Sequence, residues 1–217
     1  MARFADKAYA DLLSSMFTLQ HLDAHPGSIY ALDPDGRIVF VNSGWETFAR
    51  DNGGQPGIAE RWGVGSNYFD ALAPALAAFY RKLFVRVPGF GGTLIPTSHE
   101  YECSSATLYR RFAMSIYALP RQLGHVVVNS LLVERPHDPE RTPHAPLDAA
   151  YVDHNGLIHQ CAHCRRVRHL RDTGRWDWVP DWVEHPQPNV SHGLCPVCMD
   201  YYSLDSATHG IEGSGPE

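Results

Sequence analysis

The chain has 217 residues, with 24 acidic side chains against 18 basic ones and a formal net charge of −6 at pH 7. This negative balance argues against a general nucleic-acid-binding surface, and no apolar run approaches the ~20 residues that a membrane-spanning helix needs. The length suits one ordinary domain and a second, smaller one. The first residues lack the apolar core of a secretory signal, so a cytoplasmic location is the expectation.

Residues 1–27 are predicted to form an N-terminal amphipathic helix that ends at His25-Pro26-Gly27. Apolar side chains recur along this segment at three- and four-residue intervals, as on one face of a helix: Phe4, Ala8, Leu12, Met16 and Leu19. This face is expected either to pack on the chain's own fold or to form the interface of a homodimer.

Residues 28–134 are predicted to form one domain, in which two strands are followed by helices and then by three more strands. The first two strands flank Pro34-Asp35-Gly36, which is typical of a hairpin turn. Pro74 is expected in the first turn of the longer helix. The order indicates an α+β fold with a five-stranded antiparallel sheet and flanking helices. The strands are predicted near residues 28–33, 37–41, 99–103, 109–117 and 125–133, and the longer helix at 69–86.

Three further segments follow this domain. Residues 135–150 are rich in proline and are predicted to be an extended, semi-rigid linker. Residues 151–204 contain four of the five cysteines and are predicted to be a small metal-binding module. Residues 205–217 are rich in Gly and Ser and are predicted to be a disordered tail.

Two C-x-x-C pairs carry the strongest chemical signal in the chain. Cys161 and Cys164 form the first pair, and Cys195 and Cys198 form the second. Each pair presents two thiolates at a separation that suits a tetrahedral zinc ion. Disulfides and a redox dithiol are the alternatives, and a reducing compartment favours the metal over disulfides.

Other side chains near the cysteines are candidate metal ligands or charge partners of the site. His163 or His192 is a possible replacement for one cysteine ligand, but four thiolates make a structural role the expectation for both. Arg165 stands where haem attachment demands a histidine, which excludes that chemistry. A run of arginines is expected either to offset the −2 charge of a zinc tetrathiolate or to form a solvated face: Arg165, Arg166, Arg168 and Arg171.

The module also contains three of the five tryptophans, Trp176, Trp178 and Trp182. A module this small buries little aliphatic area, so aromatic packing and a metal are expected to compensate. An exposed partner surface is the alternative. Cys103, outside the two pairs, is expected to be a buried small hydrophobe, with a redox-sensing thiol as the alternative.

The middle zone resembles a PAS domain. The resemblance is carried by the opening hairpin from Ile29 to Asn42, by Trp45 and Phe48-Ala49, by the turn Gly63–Tyr68, and by the later strands. It implies a sensory domain that binds a ligand or mediates dimerisation. Its candidate ligand-binding residues, for which core packing is the alternative role, are Tyr30, Phe48, Tyr68, Phe79, Phe112 and Met114.

The resemblance also bears on the cofactor of this domain. Flavin photoreceptors of the family use an Asn-Cys-Arg motif, where this chain has Asn67-Tyr68-Phe69, and haem-binding relatives place a histidine on the long helix, where residues 69–87 have none. A flavin adduct and haem are therefore both disfavoured, and the PAS ligand is left unidentified.

The cysteine zone resembles a short module that accompanies PAS and receiver domains in bacterial signalling proteins. Cys161–Arg168 and Trp176 match its first half, and Ser191–Cys198 its second. No phosphate-binding loop, nucleophile elbow or kinase signature is present, so an enzyme is not expected. The prediction is a bacterial regulatory protein with a structural zinc module that docks a signalling partner. The alternative is a thiol- or metal-based redox sensor.

Overall fold

The computed structural model describes residues 3–54 and 56–208 of the chain. These residues fall into two compact units, each built from several stretches of sequence. The first comprises Met1–Leu72, Tyr80–Cys103 and Tyr109–Arg135, and the second comprises Ala73–Phe79, Ser104–Leu108 and Pro136–Glu217. No helix in the described ranges is both long enough and apolar enough to cross a membrane.

A mixed sheet-and-helix architecture forms the first unit, as the sequence predicts. Its sheet has the strand order β1-β3-β2-β6-β5-β4, and β2–β3, β2–β6 and β4–β5 pair antiparallel. The strands are β1 (Arg3–Phe4), β2 (Ser28–Leu32), β3 (Ile38–Val41), β4 (Thr97–Glu102), β5 (Leu108–Ala118) and β6 (His125–Pro136). The helices are α1 (Lys7–Met16), α2 (Leu19–Ala24), α3 (Ser43–Asp51), α4 (Gly57–Arg61) and α5 (Pro74–Val85), with 3₁₀ turns at Tyr68–Ala71 and Pro120–Gln122. The residues of α5 up to Phe79 belong to the second unit.

The sheet has six strands where the sequence predicted five, because the N-terminal segment adds β1 at its edge. The rest of that segment forms α1 and α2 rather than one helix. The Asp6 side chain accepts a hydrogen bond from the Tyr9 N–H and so begins α1, while extended backbone at Phe17 ends it. Leu13 on α1 is fully buried in the core with Phe40 of β3, so the apolar face packs on its own unit. The homodimer stays a prediction.

Asn42, at the end of β3, is fully buried and joins three elements through its side chain. Its Oδ1 accepts from the N–H groups of Ile29 and Trp45, both at 2.9 Å, so it caps α3 while holding β2. Its Nδ2 donates to three carbonyl oxygens, that of Leu22 in α2 and those of His25 and Gly27 between α2 and β2. Every hydrogen-bonding direction of the amide is therefore used.

The second unit contains a four-stranded sheet of order β10-β7-β8-β9, in which β10 runs parallel to β7. Its elements are α6 (Asp148–Tyr151), β7 (Ile158–Cys161), β8 (Val167–Arg168), β9 (Trp176–Asp177), α7 (Pro180–Glu184), β10 (Val190–Gly193) and α8 (Pro196–Thr208). The residues of its apolar cluster are Tyr151, Ile158, Val167, Val179 and Trp182. Helix α8 extends beyond the predicted module end, and residues 209–217 of the predicted tail lie outside the described residues.

The proline-rich segment, which is predicted to be an extended, semi-rigid linker, makes specific contacts within the second unit. Strand β6 runs through Pro136, and the segment from there to Leu147, which we call the connector, belongs to the second unit. Pro143 bridges Trp178 in parallel fashion, and the His144 N–H donates to the Trp178 carbonyl at 2.8 Å. Its prolines interrupt the hydrophobic periodicity from which a helix or strand is predicted. They still allow the connector to pack within the second unit, because it forms isolated hydrogen bonds instead of a continuous series of backbone hydrogen bonds.

Candidate metal centre

The two predicted cysteine pairs meet in the second unit. The Sγ atoms of Cys161, Cys164, Cys195 and Cys198 all lie within 4.8 Å of one another. Those of Cys164 and Cys195 are 3.8 Å apart, which excludes a disulfide between them. A tetrahedral zinc ion with bonds of about 2.3 Å would place its sulfurs about 3.8 Å apart. The four donors therefore fit zinc in both chemistry and spacing.

Regular elements hold both pairs in place. Cys161 is the last residue of β7, and the turn after it is closed by a hydrogen bond from the Arg165 N–H to the Cys161 carbonyl at 3.1 Å. Arg165 has a left-handed φ of 62°. Cys195 directly precedes α8, and Cys198 lies in its first turn. The parallel pairing of β10 with β7 brings the second pair to the first.

The four thiols share their protons unevenly. Hydrogen bonds from Cys164, Cys195 and Cys198 hold the pKa of Cys161 far below its ordinary value. The same interactions raise the pKa values of Cys164 and Cys198, whose protons are used as donors. Binding of a zinc ion by all four sulfurs would require each of them as a thiolate, so it would release the remaining protons. The start of α8 adds a favourable dipole beside Cys195 and Cys198.

Neither histidine weighed as a replacement ligand belongs to the cluster of four ligand atoms, as far as the described residues show. His163 Nδ1 lies 2.7 Å from the Tyr202 hydroxyl, which gives this ring a structural partner. His192 lies on β10, and desolvation together with the charge of Arg165 lowers its pKa. Charge compensation of the metal site by the arginines at 165–171 stays a prediction.

Arg141 is a neighbour of the centre that sequence reasoning missed. Its Nη2 donates to the carbonyl oxygen of Cys164 at 3.3 Å. It lies 23 residues before Cys164 in a proline-rich segment, so no local spacing signals the contact.

Two of the three tryptophans pack in the interior of the second unit. Trp178 is 4% exposed and Trp182 is 8% exposed, which agrees with the core role rather than with an exposed partner surface. Trp176 is partly buried and packs against the four cysteines.

Five of the six candidate ligand-binding residues lie in the first unit. Tyr30 stacks on Tyr68 with ring centroids 5.4 Å apart, and Phe48 meets Phe112 edge-on at 5.7 Å. Met114, on the same strand as Phe112, is also buried. The sixth, Phe79, belongs to the second unit, where its ring lies 4.7 Å from that of Tyr202. Ligand binding by any of the six residues stays a prediction.

Other aromatic residues surround Tyr68 that the sequence reasoning did not select as site residues. Tyr80 and Phe84, spaced four apart on α5, present their rings to Tyr68 at 6.4 and 6.0 Å; this spacing was the available signal. Trp45 lies 5.1 Å from Tyr30. Desolvation raises the pKa of Tyr68 to about 12 and that of Tyr30 well above its ordinary value, so both phenols stay protonated near neutral pH.

Cys103 directly follows β4 and is partly exposed, so it is not the fully buried residue that was expected. Its N–H donates to the Arg110 carbonyl at 3.0 Å. All five cysteines lie in the described part of the chain, and none of them forms a disulfide.

Comparison with known proteins gives partial matches. No family model matches the chain. An uncharacterized 104.1 kDa protein in the hypE 3′ region of Rhodobacter capsulatus is 32% identical over 124 residues, which cover 54% of this chain and 13% of that protein. The chain thus spans only a small part of this relative's length.

Two solved structures are similar to about half of the chain. One is the photoactive yellow protein domain of the sensor histidine kinase Ppr from Rhodospirillum centenum, with 15% identity, a TM-score of 0.35, and coverage of 54% of this chain and 95% of that one. The other is the PAS domain of Bordetella pertussis BvgS, with 21% identity, a TM-score of 0.32, and coverage of 58% and 86%.

Proposed function

We propose that this chain is a cytoplasmic bacterial regulatory protein in which a structural zinc ion holds together a partner-docking module, attached to a PAS-like sensory unit. The observation that carries the proposal is the cluster of four buried sulfurs within 4.8 Å of one another. A closed set of four protein ligands is typical of structural zinc rather than catalytic zinc, which keeps one position open.

Metal analysis of the purified full-length chain tests the zinc site. We expect one zinc ion per chain in protein prepared without chelators. Cys161→Ser and Cys195→Ser should each lose the ion, because a three-thiolate site binds zinc more weakly and leaves the fold of the module incomplete. Cys103→Ser is the matched control and should keep one ion. Stoichiometric iron, or no metal in the unmodified chain, would contradict the proposal.

A redox sensor that uses the same thiols is the competing proposal. The burial of all four cysteines, which range from 0 to 6% exposed, supports the structural role, because oxidants reach buried, metal-bound thiolates slowly. Peroxide titration with a colorimetric zinc indicator separates the two. A structural site keeps its zinc at moderate oxidant, whereas a sensor releases zinc as disulfides form and regains it after reduction.

The sensory part of the proposal is supported by the PAS resemblance and by the aromatic cluster around Tyr68. The rings of Tyr80 and Phe84 pack around Tyr68, which itself stacks on Tyr30, so this unit has an aromatic interior. Native mass spectrometry of protein from its own host would report a retained small molecule, the zinc ion and the predicted homodimer together. An apo monomer would contradict both the ligand and the dimer.

A further inference from the structure

Arg141 is the point at which the connector meets the first cysteine pair. Its guanidinium carbon lies 3.9 Å from the centroid of the Trp178 ring. From that position Nη2 donates to the Cys164 carbonyl at 3.3 Å, and Nη1 donates to Nδ1 of His137 at 2.9 Å. One side chain thus contacts the metal-binding turn, a buried aromatic ring and the start of the connector.

The contact with Arg141 also determines the tautomer of His137. A guanidinium only donates hydrogen bonds, so Nδ1 of His137 must accept. The ring proton is then on Nε2, which donates to the Ser105 carbonyl at 2.8 Å. The His137 ring also packs on Trp178, with centroids 4.8 Å apart. Arg141 therefore orients His137, and both hold the connector on the second unit.

The Cys164 carbonyl belongs to a backbone turn that the cysteines restrain. It is part of the peptide that joins Cys164 to Arg165. Arg165 has a left-handed φ of 62°, which is unfavourable for a residue other than glycine. Restraining the sulfurs of Cys161 and Cys164 on one ion would favour this conformation. The ion would in that way keep the carbonyl where Arg141 reaches it.

Charge favours the same coupling. Zinc with four thiolates carries a net charge of −2, and Arg141 brings a positive charge to the backbone of one ligand. The contact therefore stabilises the loaded site, and the loaded site stabilises the contact. By thermodynamic linkage the two effects must be equal in free energy.

We propose that Arg141 couples metal binding to docking of the connector, so that loss of the ion releases the segment Pro136–Leu147 and removal of Arg141 weakens metal binding. This rests on the proposed zinc site. It makes the connector, which continues directly from β6, a segment whose order depends on the metal. Arg141 is thus a positioning residue and not a metal ligand.

Arg141→Ala is the decisive variant, and Arg135→Ala is its matched control. Arg135 also stacks on a ring, 4.9 Å from that of Tyr109, but it precedes the connector and belongs to the first unit. In chelator competition we expect the zinc affinity of Arg141→Ala to fall about tenfold, as for other residues that support a metal ligand. Arg135→Ala should match the unmodified chain. Arg141→Lys should be intermediate, because lysine keeps the charge but not the planar fork.

Amide hydrogen exchange in zinc-saturated protein supplies a second measurement. Lower zinc affinity alone would not change it, because the site is filled. In zinc-saturated Arg141→Ala, the His144 amide, which donates to the Trp178 carbonyl, should exchange faster, while amides of β7 and β10 keep their protection. Zinc removal from the unmodified chain should also make the His144 amide exchange faster. Unchanged zinc affinity with unchanged His144 exchange in Arg141→Ala would overturn the coupling while leaving the zinc site intact. Failure of the unmodified chain to bind zinc would instead overturn the proposed function together with the coupling.

Discussion

The interiors of the two units of this chain differ in composition. The first has a continuous apolar core in which α1 packs on the sheet, with Leu13 and Phe40 fully buried. The second has a cluster of five buried apolar residues and, beside it, four cysteines. Under the proposed function, a metal ion bound by these cysteines makes their cluster the centre on which the fold of the second unit depends. A change at that centre should therefore affect one unit and leave the other folded.

Removing the metal should produce the largest difference between the units. Structural zinc contributes about 10–16 kcal/mol in small zinc-dependent domains, which is more than the apolar cluster of the second unit can replace. After chelation, amides of β7 and β10 should lose their protection from hydrogen exchange, while those of β2 and β3 keep theirs. Equal loss of protection in both units would show that the metal does not stabilise the second unit selectively.

Truncation of Phe40 is the converse test. Phe40 is fully buried on β3, and its ring lies 4.9 Å from that of Phe4. Phe40→Ala should destabilise the first unit by about 3–5 kcal/mol through lost burial and the cavity that remains. The variant should still bind one zinc ion per chain, and amide exchange in β7 should be unchanged. Loss of zinc from this variant would mean that the two units do not unfold separately.

A smaller effect in the first unit is expected at Asn42. Asn42→Ala removes five hydrogen bonds and leaves buried N–H and carbonyl groups without their partner, at a cost of about 2–3 kcal/mol. Asn42→Asp distinguishes the role of the side-chain oxygen from that of the side-chain nitrogen. It keeps the acceptor for Ile29 and Trp45 but turns a carboxylate oxygen toward three carbonyls, so it should be no more stable than Asn42→Ala. Denaturant unfolding, followed by exchange of first-unit amides, measures both, and a near-native Asn42→Asp would contradict the assigned roles.

Local sequence patterns predicted the parts of this molecule that depend on local chemistry. Pro34-Asp35-Gly36 correctly indicated the hairpin between β2 and β3, and the two C-x-x-C spacings indicated the cysteine cluster. The capping role of Asn42 also follows from its position before a helix. In each case the residues that interact are close in sequence or share a known ligand geometry.

Contacts between distant segments were not predictable in this way. Strand β1 has only two residues, which is too short for an alternation of apolar and polar side chains to indicate a strand. Its conformation depends on pairing with β3. The connector has the composition of an extended, semi-rigid linker. Its Arg141 contacts Trp178 and Cys164, which lie more than twenty residues away in the sequence.

The smallest predicted effect concerns Asp177, a buried carboxylate in the second unit. Burial alone would raise its pKa, but hydrogen bonds from Arg175 Nε at 2.8 Å and from the Tyr151 hydroxyl at 2.9 Å outweigh burial and hold the pKa below its ordinary value. Tyr151→Phe removes one of these donors and should cost about 1.5–3 kcal/mol near neutral pH, as for a hydrogen bond to a charged group.

The sign of the pH dependence provides the check. Because the pKa of Asp177 is lowered in the folded state, its contribution to stability is present above the unfolded-state pKa and is lost as the pH falls through the folded value. The difference in unfolding free energy between the unmodified chain and Tyr151→Phe should therefore shrink in acid. Zinc-saturated samples must be compared, since protonation of the cysteines also releases metal at low pH. A difference that stays constant or grows as the pH falls would contradict a hydrogen bond from the Tyr151 hydroxyl to the charged form of Asp177.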